Sequence, residues 1–265
     1  MLRIIADSTC DISKEDARKM GIQIVPISVR FGNEEFLDGV EITHEEFYTR
    51  LAECDELPKT SQPSPDTFMK VFNEAVAAGD DVLGIFISSD LSGTYQSACL
   101  AALDVEEETG KQLYMVDSRS ASIGTALLIR EAVKLRDAGV NVSDIAAACT
   151  EMSKYIKLTA VVGSLKYLKM GGRLSGAAAF AGTMLHITPV VSIEDGKVVV
   201  IGKTRGKKAA EKLMHDKLTK DGLSLTRDFM FGHINCSESL ETFINKSLTY
   251  ISDVNGNVFV SSIVC

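Results

Sequence analysis

Short apolar runs alternate with polar turns and helical patterns through the first part of the chain. The runs at residues 2–6, 82–87 and 112–116 are short and mainly apolar, as in strands that a parallel sheet buries on both faces. Oxygen-bearing side chains follow each run directly, and a helical pattern comes next. These repeated units predict a parallel α/β sheet whose polar turns lie together at one edge.

The pattern changes in the second part of the chain. Strands predicted at 188–193 and 197–203 flank a Glu-Asp-Gly-Lys turn, which is typical of an antiparallel hairpin. We therefore predict an α/β fold with two domains. An N-terminal α/β/α parallel-sheet domain is expected over residues 1–155, and a C-terminal α/β domain with a mixed sheet over 156–265. Residues 23–31 are predicted to form a single strand.

Composition limits the class of partner. The chain has 265 residues and a net charge of -8, and it has no basic patch that would bind nucleic acid. Its six cysteines are scattered without a Cys-x-x-Cys pair, which is typical of reduced thiols in a cytoplasmic protein. No apolar run approaches the roughly 20 residues that cross a bilayer. We expect a soluble cytoplasmic protein without stable membrane insertion.

The polar turn after the strand at 82–87 is the strongest candidate for a binding site. Ser92, Gly93 and Thr94 lie in this turn, where a helical pattern begins. Ligands of open α/β sheets bind at the carboxyl ends of strands, and the first turn of a helix offers unpaired N–H groups to an anion. The sequence therefore predicts an acidic or carbonyl ligand. A simpler alternative is that Ser92 and Thr94 only cap the helix.

Two other segments carry candidate binding groups. Residues 57–65 contain three of the five prolines of the chain, so this segment is predicted to be extended and to fix Thr60 and Ser61. Hydroxyl donors and helix amides together can bind a carboxylate without a full positive charge beside it. Later in the chain, a Gly-Gly pair precedes Arg173 and is predicted to fix the direction of that side chain.

The sequence lacks the motifs of common nucleotide-binding and zinc sites. Neither the Gly-x-x-x-x-Gly-Lys-Ser/Thr phosphate loop nor a Gly-x-Gly-x-x-Gly turn after the first strand occurs. His44 lacks the second histidine of a zinc protease helix, and His186, His215 and His233 stand alone in the sequence. We therefore expect no metal ion and no bound cofactor.

A lipid esterase with Ser92 as its nucleophile is the main alternative. Ser92 follows a predicted strand and precedes a helix, as the serine of a nucleophile elbow does. The elbow needs glycine two residues before and after the serine, whereas Asp90 and Thr94 occupy those positions here. His233, at a predicted strand end, is the best-placed histidine for a triad.

Three ordered motifs resemble those of the DegV family, which includes the fatty-acid-binding subunits of bacterial fatty acid kinase. They are Lys59-Thr-Ser-Gln-Pro-Ser64, Leu91-Ser-Gly-Thr-Tyr-Gln-Ser-Ala98 and Gly171-Gly-Arg-Leu-Ser175. Shorter matches extend the resemblance over nearly the whole chain: Asp7-Ser8-Thr9, Val116-Asp-Ser118, Thr188-Pro189 and Arg205-Gly206.

The resemblance implies a two-domain α/β fold that encloses a long-chain fatty acid, such as palmitate, stearate or oleate, between the domains. The family protein is not itself an enzyme. It presents the fatty acid to a separate kinase catalytic subunit, which uses ATP to form an acyl phosphate for phospholipid synthesis. The residues that match the carboxylate-binding motifs are Thr60, Ser61, Ser92, Gly93 and Thr94. Arg173 matches the arginine associated with kinase engagement and phosphoryl transfer.

The sequence departs from the family pattern in one place. Family members usually carry His-x-Gly-Pro-Gly after the last strand, with the histidine near the carboxylate, and residues 256–265 do not contain it. His233 matches a different, earlier histidine of the family. The resemblance therefore implies fatty acid binding more directly than it implies competence in phosphoryl transfer.

Overall fold

A computed structural model describes residues 1–175, 187–222, 227–248 and 258–262, and gives only the backbone for 237–239, 248 and 258–262. His186, one of the histidines considered above, lies outside the described residues.

Strands are present close to the bounds predicted at 2–6, 82–87, 112–116, 188–193 and 197–203, and the structure describes further strands that the sequence analysis did not predict. In chain order the described strands are β1 (Leu2–Asp7), β2 (Ile22–Val25), β3 (Ser28–Phe31), β4 (Glu34–Leu37), β5 (Lys59–Ser61), β6 (Asp81–Phe86), β7 (Tyr114–Asp117), β8 (Leu158–Val161), β9 (Thr188–Glu194), β10 (Lys197–Thr204), β11 (Phe229–His233) and β12 (Val258–Ser262).

The described helices follow most of these strands. In chain order they are α1 (Lys14–Met20), α2 (His44–Glu53), α3 (Pro65–Ala77), α4 (Thr94–Thr109), α5 (Ile123–Asp137), α6 (Val142–Ser153), α7 (Lys166–Met170), α8 (Lys207–Asp221) and α9 (Ser237–Leu248). A short 3₁₀ helix, Ser8–Cys10, lies between β1 and α1.

A parallel sheet with strand order β2-β1-β6-β7 forms the centre of the first half. Successive side chains of β1 point to opposite faces, as strand geometry requires. Ile4 packs with Leu128 of α5 on one face, whereas Ile5 packs with Phe68 of α3 on the other. Helices therefore cover both faces of this sheet, and the predicted α/β fold class is confirmed.

The remaining described strands form smaller sheets. Strands β4-β3-β5 and β10-β9-β8 are antiparallel sheets, and β11 pairs in parallel with β12. The second half thus contains both strand orientations, but in separate sheets of the described residues. The predicted single strand at 23–31 is wrong, because β2 ends before Pro26 and β3 begins after it in another sheet. Proline has no N–H to donate, so it interrupts a strand ladder.

The tip of the β9–β10 hairpin contacts the carboxyl edge of the parallel sheet. The Ser88 hydroxyl, after β6, donates to the Gly196 carbonyl at 2.8 Å. Lys197 lies 3.4 Å from the Asp90 carboxylate. These contacts fix the second half of the chain against the turns that hold the candidate binding residues.

Candidate functional site

The turn between β6 and α4 is built by backbone hydrogen bonds to Ser88. The amides of Leu91 and Ser92 donate to the Ser88 carbonyl at 3.0 and 3.1 Å. Helix α4 then begins with Gly93 as its N-cap, a residue that has no side chain to cap the first amides. Ser92 Oγ shares a 2.9 Å hydrogen bond with Thr94 Oγ1 and accepts a longer one, 3.3 Å, from the Thr94 amide. Capping by Ser92 therefore satisfies only part of this helix end, which can still bind an anion.

The extended Thr60–Ser61 segment lies against the same turn. Thr60 pairs with Val29 in the antiparallel sheet, and both hydroxyl residues are exposed. The next residue, Gln62, packs directly on Gly93, since a Cβ at Gly93 would lie only 2.1 Å from Gln62 Oε1.

A second contact fixes the same segment to α4. Ser97 Oγ, in the first turn of the helix, donates to the Pro63 carbonyl at 2.6 Å. The proline-rich segment is thus held by its backbone, and the structure brings these two predicted motifs together.

The third predicted motif reaches the turn through its arginine. Arg173 Nε donates to the Leu91 carbonyl at 3.1 Å, and Arg173 Nη1 donates to the Gly171 carbonyl at 2.6 Å. Gly172 has a positive φ of 73°, a conformation that glycine adopts readily. The guanidinium is exposed and is held beside the turn by carbonyl groups, and no carboxylate pairs with it among the described residues.

A buried carboxylate connects the ends of β1 and β6. Asp7 is fully buried, and it accepts hydrogen bonds from the Ile87 amide at 2.9 Å and from the amide and hydroxyl of Thr9. Burial raises the pKa of Asp7, and these hydrogen bonds oppose the rise. Asp7 positions the turn after β6. Local spacing does not predict this contact, because the partner amide is 80 residues away in the chain.

The turn after β7 lies next to the turn after β6. The Ser88 amide donates to the Ser120 carbonyl at 2.8 Å. The carboxylate of Asp117 accepts from the Ser89 amide at 3.3 Å and from the Arg119 amide at 2.8 Å. The carboxyl ends of these strands therefore form one continuous polar edge, as the repeated sequence units predicted.

An apolar cluster borders this polar edge. Leu91 and Ala121, from the two turns, pack against buried residues of the second half such as Leu174 and Val191. Its partly buried members include Leu158, Ala160, Val162, Leu165, Leu168 and Val200. Leu91 therefore belongs both to the turn that carries the Ser92 and Thr94 hydroxyls and to a partly buried apolar surface.

A separate cleft of about 270 Å³ lies between the end of α6 and the β9–β10 hairpin. Charged side chains line it, among them Arg119, Lys154, Lys217 and Asp221. Such a lining does not suit a hydrocarbon chain, because uncompensated charges cost free energy when an apolar ligand displaces their water.

The structure gives no support to a triad at Ser92. Within the described ranges, no histidine or carboxylate hydrogen bonds to the Ser92 hydroxyl, whose partner is Thr94. The His233 ring instead accepts a hydrogen bond from the Cys236 amide at 3.3 Å.

Among the described residues, no group of three or more His, Cys, Asp or Glu side chains could hold a metal ion. None of the described helices is long and apolar enough to span a membrane.

These features define a class of α/β protein whose parallel-sheet edge carries hydroxyl donors beside an apolar surface. The chain belongs to the DegV family, because the model for that family, described as "Uncharacterised protein, DegV family", matches residues 1–263. A DegV domain-containing protein of Clostridium perfringens is 38% identical over 213 residues, 80% of this chain and 75% of the relative. Another, of Clostridium acetobutylicum, is 34% identical over 255 residues, 92% of this chain and 87% of the relative.

Solved structures of the family have the same fold. A fatty-acid-binding DegV family protein from Thermus thermophilus has a TM-score of 0.86 and 30% identity, over 99% of this chain and 93% of that one. A stearic acid-binding protein from Eubacterium ventriosum has a TM-score of 0.84 and 31% identity, over 95% of this chain and 88% of that one.

Proposed function

We propose that this protein binds a long-chain fatty acid in the cytoplasm and presents it to a separate ATP-dependent fatty acid kinase, which forms an acyl phosphate for phospholipid synthesis. The protein itself has no catalytic residue in this scheme. The proposed carboxylate-binding residues are Thr60, Ser61, Ser92, Gly93 and Thr94.

The main support for the proposal is that three predicted motifs lie together at the start of helix α4. Gln62 holds the Thr60–Ser61 segment on Gly93, and Arg173 bonds to the carbonyl of Leu91. The closeness of the Thr60–Ser61 segment to the first amides of α4 supports a carboxylate site at this helix start, since hydroxyl groups and helix amides are donors that bind a carboxylate.

The acyl chain is proposed to lie on the apolar cluster around Leu91. Its members come from both sides of residue 155, so the ligand would lie between a domain at 1–155 and a domain at 156–265. Covering partly exposed apolar side chains contributes about 25 cal/mol per Å². The Thermus thermophilus and Eubacterium ventriosum relatives, which are described as fatty acid binders, support an acyl ligand here.

Arg173 is proposed to act in phosphoryl transfer rather than in fatty acid binding. Its guanidinium is exposed beside the turn that would hold the carboxylate. A cation at this place would stabilise the negative charge on the phosphoryl group as the partner kinase transfers it.

The ligand can be identified by mass spectrometry of the purified protein before and after mild organic extraction. We expect a fatty acid to be released unchanged and the protein to return to its sequence mass. A covalent acyl adduct on Ser92 would instead support the esterase, and the absence of any extracted lipid, together with no binding of added palmitate, would overturn the proposal.

The combined variant Thr60→Ala and Ser92→Ala should bind palmitate much more weakly than the wild type. Each lost hydrogen bond to the carboxylate is worth roughly 1.5–3 kcal/mol. Calorimetric titration of the delipidated protein measures the loss. The matched control is Thr150→Ala with Ser153→Ala, since both hydroxyls bond only to backbone carbonyls of α6. Equal affinity of the combined variant and the wild type would contradict the assignment.

A further inference from the structure

The charged cleft between the end of α6 and the β9–β10 hairpin has no role in the proposed fatty acid site. Its volume of about 270 Å³ suits a small polar molecule. Residues from both halves of the chain line it, because Arg119 follows β7, Lys154 and Lys157 follow α6, and Asp195 lies at the hairpin tip. The Arg119 and Lys154 side chains are 41% and 55% exposed, so a ligand from solvent can reach them.

The lining of this cleft carries more positive than negative charge, although the whole chain has a net charge of -8. Among the described residues, four basic side chains line it, against three carboxylates: Arg119, Lys154, Lys157 and Lys217 are the basic ones. The cleft is therefore a local region of positive charge on an acidic protein, and such a region attracts anions.

The cations of the cleft differ in how fully carboxylates neutralise them. Lys217 lies 3.2 Å from the Glu194 carboxylate and 2.7 Å from that of Asp221, so it is fully paired. Lys157 is exposed, and no carboxylate pairs with it in the part of the chain that the structure describes. The charge of Lys157 is therefore available to a ligand.

Arg119 also has donors that no protein group uses. Its Nη2 donates to the Asp195 carboxylate at 3.1 Å, whereas its Nε and Nη1 have no acceptor within the described ranges. The Asp195 side chain is 96% exposed, so this ion pair is weak and a stronger anion can displace it. The planar donors of a guanidinium match the spacing of phosphate oxygens.

Two cations of the cleft are held near each other although like charges repel. Hydrogen bonding to Glu151 raises the pKa of Lys154, and the nearby positive charge of Arg119 opposes that rise. Arg119 also has a φ of 51°, a conformation that is unfavourable for a residue with a Cβ and is concentrated at functional sites. An anion between these two side chains would remove their repulsion.

We propose that this cleft binds a phosphate group, with Arg119, Lys154 and Lys157 as its contacts. The phosphate of a monoester carries a charge of about -1.5 to -2 at pH 7 and has three strong acceptor oxygens, so it can bond to several cations at once. A carboxylate has a single charge and two oxygens and matches three cations less well. The cavity, the residues and the ligand all differ from those of the fatty acid site, so this proposal does not depend on the proposed function.

Calorimetric titration of the full chain with inorganic phosphate, and separately with methyl phosphate, tests the proposal at constant ionic strength. We expect saturable binding of at least one of them with a Kd of about 1 mM or tighter. Tighter binding of inorganic phosphate would identify the free ion as the ligand, and tighter binding of methyl phosphate would identify a phosphomonoester. No saturation by either at about 20 mM would overturn the proposal.

Loss of the two least neutralised cations should weaken phosphate binding. The combined variant Arg119→Gln and Lys157→Gln should lose at least about tenfold in affinity, and Lys157→Gln alone at least about threefold. The matched control is Arg50→Gln with Lys70→Gln, because Arg50 also pairs with one exposed carboxylate and Lys70 is exposed on α3. Equal losses in the variant and the control would overturn the proposal, since a general loss of positive charge would then explain both.

Removal of the competing carboxylate should have the opposite effect. Asp195→Asn should bind phosphate about threefold more tightly, because Asp195 no longer occupies Nη2 of Arg119. Glu34→Gln is its control, since it frees Arg50 in the same way at another surface and should leave the affinity unchanged. A gain in affinity does not arise from misfolding. Unchanged or weaker binding by Asp195→Asn would contradict the assignment of Arg119 as a phosphate contact.

Discussion

At the scale of single residues, Ser122 combines an unusual backbone conformation with a buried hydroxyl. Its φ of 52° and ψ of -132° lie outside the regions that residues with a Cβ adopt readily. Such conformations cost of order 1–3 kcal/mol and are concentrated at functional sites. Glycine would adopt this backbone conformation more readily than serine.

Ser122→Gly should therefore make the protein more stable. Relief of backbone strain exceeds the extra entropy of glycine in the unfolded chain, so we expect a gain of about 1 kcal/mol in the free energy of unfolding. Urea unfolding of the delipidated protein measures it. Ser122→Ala is the matched control, because it removes the hydroxyl but keeps the strain. If both variants were equally stable, backbone strain at Ser122 would not be the cause.

The sequence predicts which residue types lie at the candidate binding site, but it does not predict the long-range contacts that hold them there. The hydroxyls of Ser92 and Thr60 follow from local pattern, since a strand end and a proline-rich segment are visible in the sequence. The contact of Gln62 with Gly93 and the bond from Asp7 to the Ile87 amide join residues far apart in the chain. Such pairs depend on tertiary packing, which local spacing does not encode.

At the scale of elements, loops hold the candidate groups and strands position the loops. Helix α7 and its Gly-Gly turn direct Arg173 back to the Leu91 carbonyl, 82 residues earlier in the chain. The arginine is fixed by backbone carbonyls, which do not neutralise its charge, so the charge would be available to the phosphoryl group in the proposed reaction.

Arg173→Ala should leave palmitate affinity nearly unchanged and should lower acyl phosphate formation with the partner kinase by about a hundredfold. The measurement is kinase turnover with fatty acid supplied on this protein. Arg136→Ala is a suitable control, because Arg136 also donates to backbone carbonyls, those of Met20 and Gly21, at another surface. A parallel loss of binding and phosphoryl transfer would indicate that Arg173 only holds the turn together.

The hairpin predicted at 188–203 is present, because β9 and β10 pair in antiparallel on either side of the turn at Asp195 and Gly196. Helix α2 begins at a capping box, in which Thr43 and Glu46 make both reciprocal hydrogen bonds. The strand predicted at 23–31 was wrong, because its apolar residues outweighed Pro26 in the pattern. The chain instead turns at that proline and places β2 and β3 in different sheets.

At the scale of the whole molecule, the hairpin tip is one of the contacts that join the two halves of the chain. Ser88 bonds to the carbonyl of Gly196, and exposed ion pairs, Lys197 with Asp90 and Arg119 with Asp195, flank this bond. Exposed pairs contribute little, typically 0–1 kcal/mol. The close approach of the Ser88 and Asp90 side chains to the Gly196 backbone is therefore the more important feature.

Gly196→Ala should be more destabilising than Gly139→Ala. The φ angles are nearly equal, 81° and 79°, so both alanines carry the same backbone strain. A Cβ at Gly196 would lie 2.7 Å from Ser88 Oγ, whereas nothing lies within 4 Å of a Cβ at Gly139. We expect an additional loss of about 1–3 kcal/mol in the free energy of unfolding for Gly196→Ala. Equal losses in chemical unfolding would show that the tip does not support the fold.

The general architecture was predictable because repeated strand, turn and helix units allow few arrangements other than a parallel sheet. The hairpin itself was also predicted from its four-residue turn. Its docking on Ser88 was not, since a hydroxyl that bonds to a main-chain carbonyl leaves no complementary pattern in the sequence.

The same bond makes the hairpin tip a convenient place for a reporter group. Ser88 bonds to a carbonyl oxygen, which every amino acid supplies, so this bond does not depend on the side chain of the neighbouring Asp195. That side chain is 96% exposed and makes only a surface ion pair with Arg119. A fluorophore attached at position 195 would sit at the junction of the two halves. Its emission would report any change in their separation as ligand enters or leaves.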